Sequence, residues 1–197
     1  MTLTGRLIAL ALLATATAVA QAPPVRVRGT VQQFDGKALA VATNSGIVQI
    51  GVPPNTGING LEARTANDIR KNAFIGATAT RNSAGRWQAT EIHIFPESMR
   101  GAGEGHYVWD LPESTMTNGA VTGTVGGESG RTLHLKYADG ELDVDVTPQT
   151  KIVELTAGDA SLIVRGAAVF VLAAPQEGGG ANAVAIVAET RGVKPPM

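Results

Sequence analysis

The chain has no cysteine. That absence excludes disulfide staples, thiolate metal ligands, a cysteine nucleophile and a lipid-modified N-terminal cysteine. It also lacks an excess of either charge: 16 Lys and Arg stand against 17 Asp and Glu, for a net charge of −1. Without a basic footprint, neither nucleic acid nor an anionic lipid surface is an expected partner. Aromatics are scarce, with two Trp, two Tyr and four Phe, too few for a base-stacking platform. No Gly-x-Ser-x-Gly elbow surrounds Ser98, Ser114 or Ser129, so no serine triad is expected. Gly101-x-Gly103-x-Gly105 misplaces its third glycine for a dinucleotide fingerprint and follows Pro96 rather than a strand. No cofactor is expected.

Long apolar runs are missing except at the start. Arg6 precedes an apolar stretch from Leu7 to Ala18, and Ala18-Val19-Ala20 offers a small-x-small cleavage site, with Ala20-Gln21-Ala22 as a second. The run is shorter than the roughly 20 residues of a spanning helix. Residues 1–20 therefore read as a signal peptide. The expected location is periplasmic or secreted, with no membrane span after cleavage.

What the chain does have is a duplication. Shifted so that Gly29 falls on Gly123, the sequence lands on itself: Val27-x-Gly29-Thr30-Val31 meets Val121-x-Gly123-Thr124-Val125. With no gap, Gly36 then meets Gly130, Gly46 meets Gly140, Pro54 meets Pro148, Leu61 meets Leu155 and Ile92 meets Ile186. A repeat at fixed period means repeated structural units.

Within the second copy, Leu133, Leu135 and Tyr137 alternate with polar residues, as do Leu142, Val144 and Val146. Period two marks strands with one buried face. A turn at Asp139-Gly140 pairs Tyr137 with Leu142, Leu135 with Val144 and Leu133 with Val146. It places Lys136 opposite Asp143 and His134 opposite Asp145, so the acidic stripe Glu141, Asp143 and Asp145 reads as a paired, solvated face. The first copy gives Val41 with Ile50 and Leu39 with Val52 around Ser45-Gly46. A strand through Val27–Val31 or Val121–Val125 precedes each hairpin. After Pro54 or Pro148 come polar segments, Ala66–Lys71 and Gly158–Arg165, with room for one or two helical turns. Asn72 and Gly166 follow at positions suited to left-handed backbone. Ala73, Ile75, Ala77 and Ala79 then alternate, matched by Ala167, Val169, Val171 and Ala173, and a turn at Ala84-Gly85 or Gly178–Gly180 leads to a last strand, Gln88–Phe95 or Asn182–Glu189.

The expected fold is all-β: two tandem five-stranded OB-like small barrels, each with a short helix between strands 3 and 4. The expected domains are 25–95 and 119–190, with a unique connector at 96–118 and an extended tail at 191–197. Paired open β-sandwich halves are the alternative. The Gly29-Thr-Val motif with Gly36, Leu39, Val41 and Gly46, and the late Ile75-to-Ile94 strands, resemble the bacterial family catalogued as domain of unknown function 5666. That resemblance implies exported, OB-like modules and no catalytic residues. The connector, from Ile92-His-Ile-Phe-Pro-Glu97 to Met116-Thr-Asn118, resembles a proteobacterial subgroup that sometimes carries a metal-transporter label. A permease is not implied, for want of membrane spans.

Subtracting the repeat leaves the connector as the place for specific chemistry, because long unique loops are commonly functional or act as a packed clasp. The candidate clasp or ligand-binding residues are Arg100, His106, Tyr107, Trp109 and Asp110. An alternative metal set is His93, Met99, His106 and Met116, whose imidazole and thioether donors suit copper, zinc or nickel. The two histidines stand thirteen positions apart, which is not a usual ligand spacing. The leading expectation is a non-catalytic exported binding or scaffold protein, with an unidentified protein, small molecule or saccharide as partner. Periplasmic metal handling comes second and cell-wall polymer hydrolysis third.

Overall fold

The computed structural model describes residues 23–127 and 130–196; the expected signal segment and Ser129 lie outside them. The chain is all-β. Its strands are Val25–Phe34 (β1), Ala38–Thr43 (β2), Gly46–Gly51 (β3), Gly57–Ala63 (β4), Phe74–Arg81 (β5), Trp87–Ile94 (β6), Gly105–Val108 (β7), Thr115–Gly127 (β8), Gly130–Tyr137 (β9), Gly140–Val146 (β10), Lys151–Ala157 (β11), Ala168–Pro175 (β12) and Ala181–Ala188 (β13). The expected short helices are three-residue 3-10 turns, Ala66–Asp68 and Ala160–Leu162. As expected, Asn72 and Gly166 take positive φ after them.

The pairing order crosses the repeats. β1 pairs with β2 and with β12, β12 pairs with β13, and β3 meets β13 in parallel at Gly51–Asn182. This closes a five-stranded ring of three strands from the first copy and two from the second. β8 pairs with β9 and β5, β5 with β6, and β10 meets β6 in parallel at Asp145–Gln88. That second ring takes three strands from the second copy and two from the first. Each copy thus gives its last two strands to the other's ring. The cores show the same mixture: Val31, Leu39 and Ile50 pack with Val169, Val171 and Ile186, whereas Ile75, Ala77 and Ile92 pack with Leu133, Leu135 and Val144.

Two strands without a clear sequence signal make the exchange possible. β4 and β11 lie between Pro54 or Pro148 and the polar segments Ala66–Lys71 or Gly158–Arg165, where the sequence pattern marks no strand. Seven extended residues reach roughly 23 Å, far enough to carry the chain from one ring to the other. β4 and β11 pair antiparallel with each other, Leu61 opposite its own repeat counterpart Leu155. A pseudo-twofold axis therefore passes between these two leucines. β4 continues the sheet to β13, and β11 continues it to β6.

Two registers differ from expectation. The second-copy hairpin pairs Gly140 with Tyr137, Leu142 with Leu135 and Val144 with Leu133; the first pairs Leu39 with Ile50 and Val41 with Val48. The loop residues are Ala138-Asp139 and Asn44-Ser45, and the glycine begins the returning strand. In the first hairpin Thr43 Oγ1 donates to Gly46 O and accepts from Ser45 N, which ties the turn one residue earlier. A slip of two keeps every side chain on its face, so alternation alone does not discriminate between the registers. His134 consequently pairs with Asp143, and Asp145 with Thr132 and Arg86. The acidic stripe is still a paired surface.

The first strand of each copy shows the second difference. Val31 lies opposite Val41, and Val121 lies opposite Leu135, the repeat counterpart of Val41. The structural counterpart of Gly29 is therefore Gly119, four positions earlier than the matching Gly-Thr-Val motif. A longer β8–β9 hairpin absorbs the offset. The last residues assigned to the connector, Thr115–Asn118, are the start of β8 and the counterparts of Val25–Arg28.

Candidate functional site

The seam between the rings has an outer face, and its residues follow from strand alternation. On β6 a bulge at Thr90 resets the alternation, since Thr78 pairs with Glu91 and Ala79 with Ala89. Ala89, Ile92 and Ile94 then point into the core, while Glu91 and His93 point to the seam. On β12, Val169, Val171 and Ala173 face the core and Phe170 and Leu172 face outward. Leu61, Val153 and Leu155 form a third buried cluster at the axis, against Phe95, Met99, Val187 and Val193.

The connector and the tail roof this face. A cavity of about 240 Å³ lies beneath them. Its floor is Phe95, Leu155, Phe170, Leu172, Ala185 and Val187, and its roof includes Met99, Tyr107, Trp109, Pro195 and Pro196. Arg28, Asn59, His93, Met116 and Asn118 complete the wall. The lining is predominantly apolar and aromatic with a few polar groups, the usual character of a small-molecule pocket, though the volume lies just under the usual range. The wider clefts, such as those at Thr65–Asn67 with Arg131 and at Arg64–Asn72 with Glu97, are lined by exposed polar side chains.

Trp109 is held at the cavity edge. Its ring stacks against the Arg26 guanidinium at 4.0 Å and lies 6.0 Å from Tyr107 and 6.2 Å from Phe170. The turn beneath it is closed by Trp109 N donating to Ser114 O at 2.9 Å and by Ser114 Oγ donating to Leu111 O at 2.7 Å. Asp110 accepts from Arg28 Nε at 2.6 Å, and Arg28 Nη1 donates to Pro196 O at 2.7 Å. Arg28 also covers the Phe170 ring at 4.6 Å. One arginine thus ties β1, β12, the connector and the tail together. Tyr107 Oη accepts from Asn118 Nδ2 at 3.3 Å, and burial pushes the phenol's pKa up. Trp109 Nε1 and Asn118 Oδ1 are buried without a hydrogen-bond partner.

His106 lies on the other face of β7. Its Nδ1 bonds Thr117 Oγ1 at 2.8 Å, and its ring packs at 5.5 Å from Trp87 and 6.1 Å from Tyr137. Partial burial lowers its pKa. Arg100 also lies off the cavity: it pairs with Glu97 at 2.5 Å and donates to Asn72 O at 2.8 Å, anchoring the connector. Of the sequence candidates, Tyr107 and Trp109 line the cavity, and Asp110 acts beside it through Arg28. Of the metal set, His93, Met99 and Met116 share the lining and His106 does not, so the four do not converge. Among the described residues no group of three or more His, Asp or Glu is placed to hold a metal ion.

The seam also buries a titratable pair. Glu91 is 2% exposed, and its Oε1 lies 3.4 Å from His93 Nε2 without forming a hydrogen bond. Desolvation raises the Glu91 pKa to about 7, with Arg28 opposing and Asp110 reinforcing the shift. Desolvation, with Arg28, lowers the His93 pKa to about 4. The two groups are neutral together rather than an ion pair near pH 6.

Sequence reasoning missed Arg28, Asn118, Phe170, Leu172 and the tail prolines. One signal was legible: Phe170 and Leu172 alternate with Val169, Val171 and Ala173, so both faces of β12 are apolar. A strand apolar on both faces needs a second cover. No protein-family model, curated protein or solved structure matches this chain.

Proposed function

We propose that this protein is an exported, non-catalytic binding module whose ligand is a small apolar molecule held at the seam. In this reading each ring is an OB-like Greek-key barrel. The fourth strand of each ring returns beside the first, as that topology requires, with the repeats exchanging strands. The resemblance to exported tandem modules fits the same reading. The observation that carries it is the roofed cavity of about 240 Å³, apolar apart from a few placed polar groups. The connector is then both clasp and roof.

A series of uncharged molecules of about eight heavy atoms suits this volume, taking roughly 30 Å³ per water-sized unit. Dissociation constants of about 0.1–1 mM are expected for ligands of that size. Trp109 emission reports binding once Trp87→Phe removes the other indole. Ala185→Leu fills the floor and is expected to weaken binding at least tenfold while the chain stays folded. If no member of the series perturbs Trp109 up to 10 mM, the cavity is a packing defect and the reading fails.

A further inference from the structure

Matching strands of the two rings differ at one edge. Val25–Arg28 of β1 and Thr115–Asn118 of β8 are counterparts, and each pairs on one side, with β12 and with β5. On its other side Thr115–Asn118 carries β7, with Val108 opposite Thr115 and Tyr107 opposite Met116. The same side of Val25–Arg28 carries no strand among the described residues, because β2 joins β1 only from Thr30 onward. Burial follows this difference. Met116, Thr117 and Asn118 are buried, whereas Val25 is 46% exposed and Arg26 and Arg28 are half-buried. Alternate residues of an antiparallel strand turn both backbone groups to one side, so this edge presents unpaired N–H and C=O groups to any strand that approaches. The offset that relates Gly119 to Gly29 puts the counterpart of β7 at residues 15–18, inside the expected signal segment that export removes.

The side chains of the edge specify the charge of an incoming strand. Arg26 and Arg28 project on the seam face, alternating with the core residue Val27. Arg28 is matched by Asp110 at 2.6 Å. Arg26 belongs to no ion pair among the described residues. Its guanidinium is held over the Trp109 ring at 4.0 Å, with Nε buried and the terminal nitrogens open to solvent without a hydrogen-bond partner. A guanidinium fixed in this way takes a carboxylate through two parallel hydrogen bonds. A second copy of β1, paired antiparallel about a twofold axis, would instead set arginine against arginine, and like charges directly opposite are destabilising.

We propose that Val25–Arg28 is a docking edge for an extended acidic segment of a partner protein, which adds as an antiparallel strand in the place that β7 takes on β8. The residue opposite Arg26 stands where Tyr107 stands opposite Met116, and its carboxylate pairs with the free guanidinium. Its two neighbours, on the face of Val25 and Val27, are β-branched. Main-chain hydrogen bonds give affinity, and the carboxylate gives choice of partner. The edge is separate from the seam cavity's ligand and rests on the export reading alone.

The test uses the chain recovered from the periplasm of an expression host. Its intact mass shows independently whether residues 1–20 have been removed; their retention would overturn the export reading, and the open edge with it. Three capped peptides are then titrated: Thr-Val-Glu-Val-Thr, the same peptide with lysine for glutamate, and the glutamate peptide with its three central amides N-methylated. Calorimetry gives affinity, and the backbone amide resonances of residues 25–28 locate the site. The glutamate peptide is expected to bind at least tenfold more tightly than the lysine peptide and to slow amide exchange at residues 25–28. The N-methylated peptide is expected not to bind. Arg26→Met keeps an apolar stem over Trp109 and removes the charge, and it is expected to bring the glutamate and lysine peptides within threefold of each other. Should that variant fail to fold, the peptide comparison on the parent chain decides alone. Equal affinity of the two charged peptides, binding of the N-methylated one, or resonance shifts confined to other surfaces would each overturn the proposal. No binding of the glutamate peptide up to about 1 mM would overturn it as well.

Discussion

Glu91→Gln is expected to make the protein more stable at pH 8, by about 1–3 kcal/mol. The pKa of Glu91 rises from 4.5 to about 7 on folding, chiefly through desolvation. The folded state therefore holds a proton that the unfolded state has released between these values. Stability from this group is fully present below pH 4.5 and is lost as pH rises toward 7. His93 acts in the opposite sense. Its pKa falls from 6.5 to about 4 on folding, so its contribution is present above pH 6.5 and is lost as pH falls toward 4. In the parent chain the two slopes offset each other between about pH 4.5 and 6.5. The glutamine of the variant cannot ionise, so only the His93 slope remains, and the variant's stability rises with pH and then levels off. Urea unfolding at pH 4.5, 6 and 8 measures this, and the gap between variant and parent should widen at each step. A variant less stable than the parent at pH 8 would mean that Glu91 is ionised and stabilised by a protonated His93.

Gly29→Ala and Gly119→Ala are each expected to cost about 3 kcal/mol. A Cβ at Gly29 would fall 2.1 Å from Ala42 O, and one at Gly119 would fall 2.6 Å from Lys136 O. Both obstacles are backbone atoms of the neighbouring strand, which no side-chain rotation can move. The glycines let β1 and β8 coil tightly against β2 and β9. For a chain of this size the loss corresponds to a fall in melting temperature of roughly 6–12 °C. Because β1 sits in a ring with β12 and β13, and β8 in a ring with β5 and β6, neither ring unfolds without pulling strands from the other repeat. Each substitution should therefore lower one common transition, followed by circular dichroism and by tryptophan emission together. Two transitions, one of them unshifted, would show that the rings are independent.

The parts of the fold that were legible are those that depend on face. The inward residues Leu39, Val41, Leu133, Leu135, Val144, Val169 and Val171 all follow from period two, and all are buried. What depends on partner choice was not legible. Because the copies share one pattern, β5 and β12 offer equivalent apolar faces to β1, and alternation has no means to prefer one. The hairpin slip of two likewise conserves every face. β4 was hidden because two glycines and an asparagine interrupt the apolar alternation of Gly57-Ile-Asn-Gly-Leu; its Gly60 is needed because a Cβ there would meet Thr190 Oγ1 at 2.7 Å. The repeated Gly-Thr-Val at Gly123 was misleading, because Gly119-Ala-Val121 is the segment in the matching place. At the site, subtracting the repeat picked out Tyr107, Trp109 and Asp110. It did not distinguish the two faces of β7, so it grouped His106 with them, and it had no means of placing Arg28 or Phe170 from distant strands beneath the same roof.

The exchange of strands underlies the seam, its roof and its cavity, and the cysteine-free chain makes it directly measurable. Thr30 lies opposite Ala168 in the β1–β12 pair. Directly opposed residues in an antiparallel pair have Cβ atoms about 4.5–5.5 Å apart, close enough for an engineered disulfide with slight adjustment. Were each repeat to close its own ring, residue 30 would instead face Phe74, the repeat counterpart of Ala168. The double variants Thr30→Cys with Ala168→Cys and Thr30→Cys with Phe74→Cys, oxidised and mapped by peptide mass spectrometry, separate the two arrangements. The exchanged fold predicts a 30–168 disulfide within the monomer and none between 30 and 74. A 30–74 disulfide in a folded monomer, with 30 and 168 remaining reduced, would contradict it.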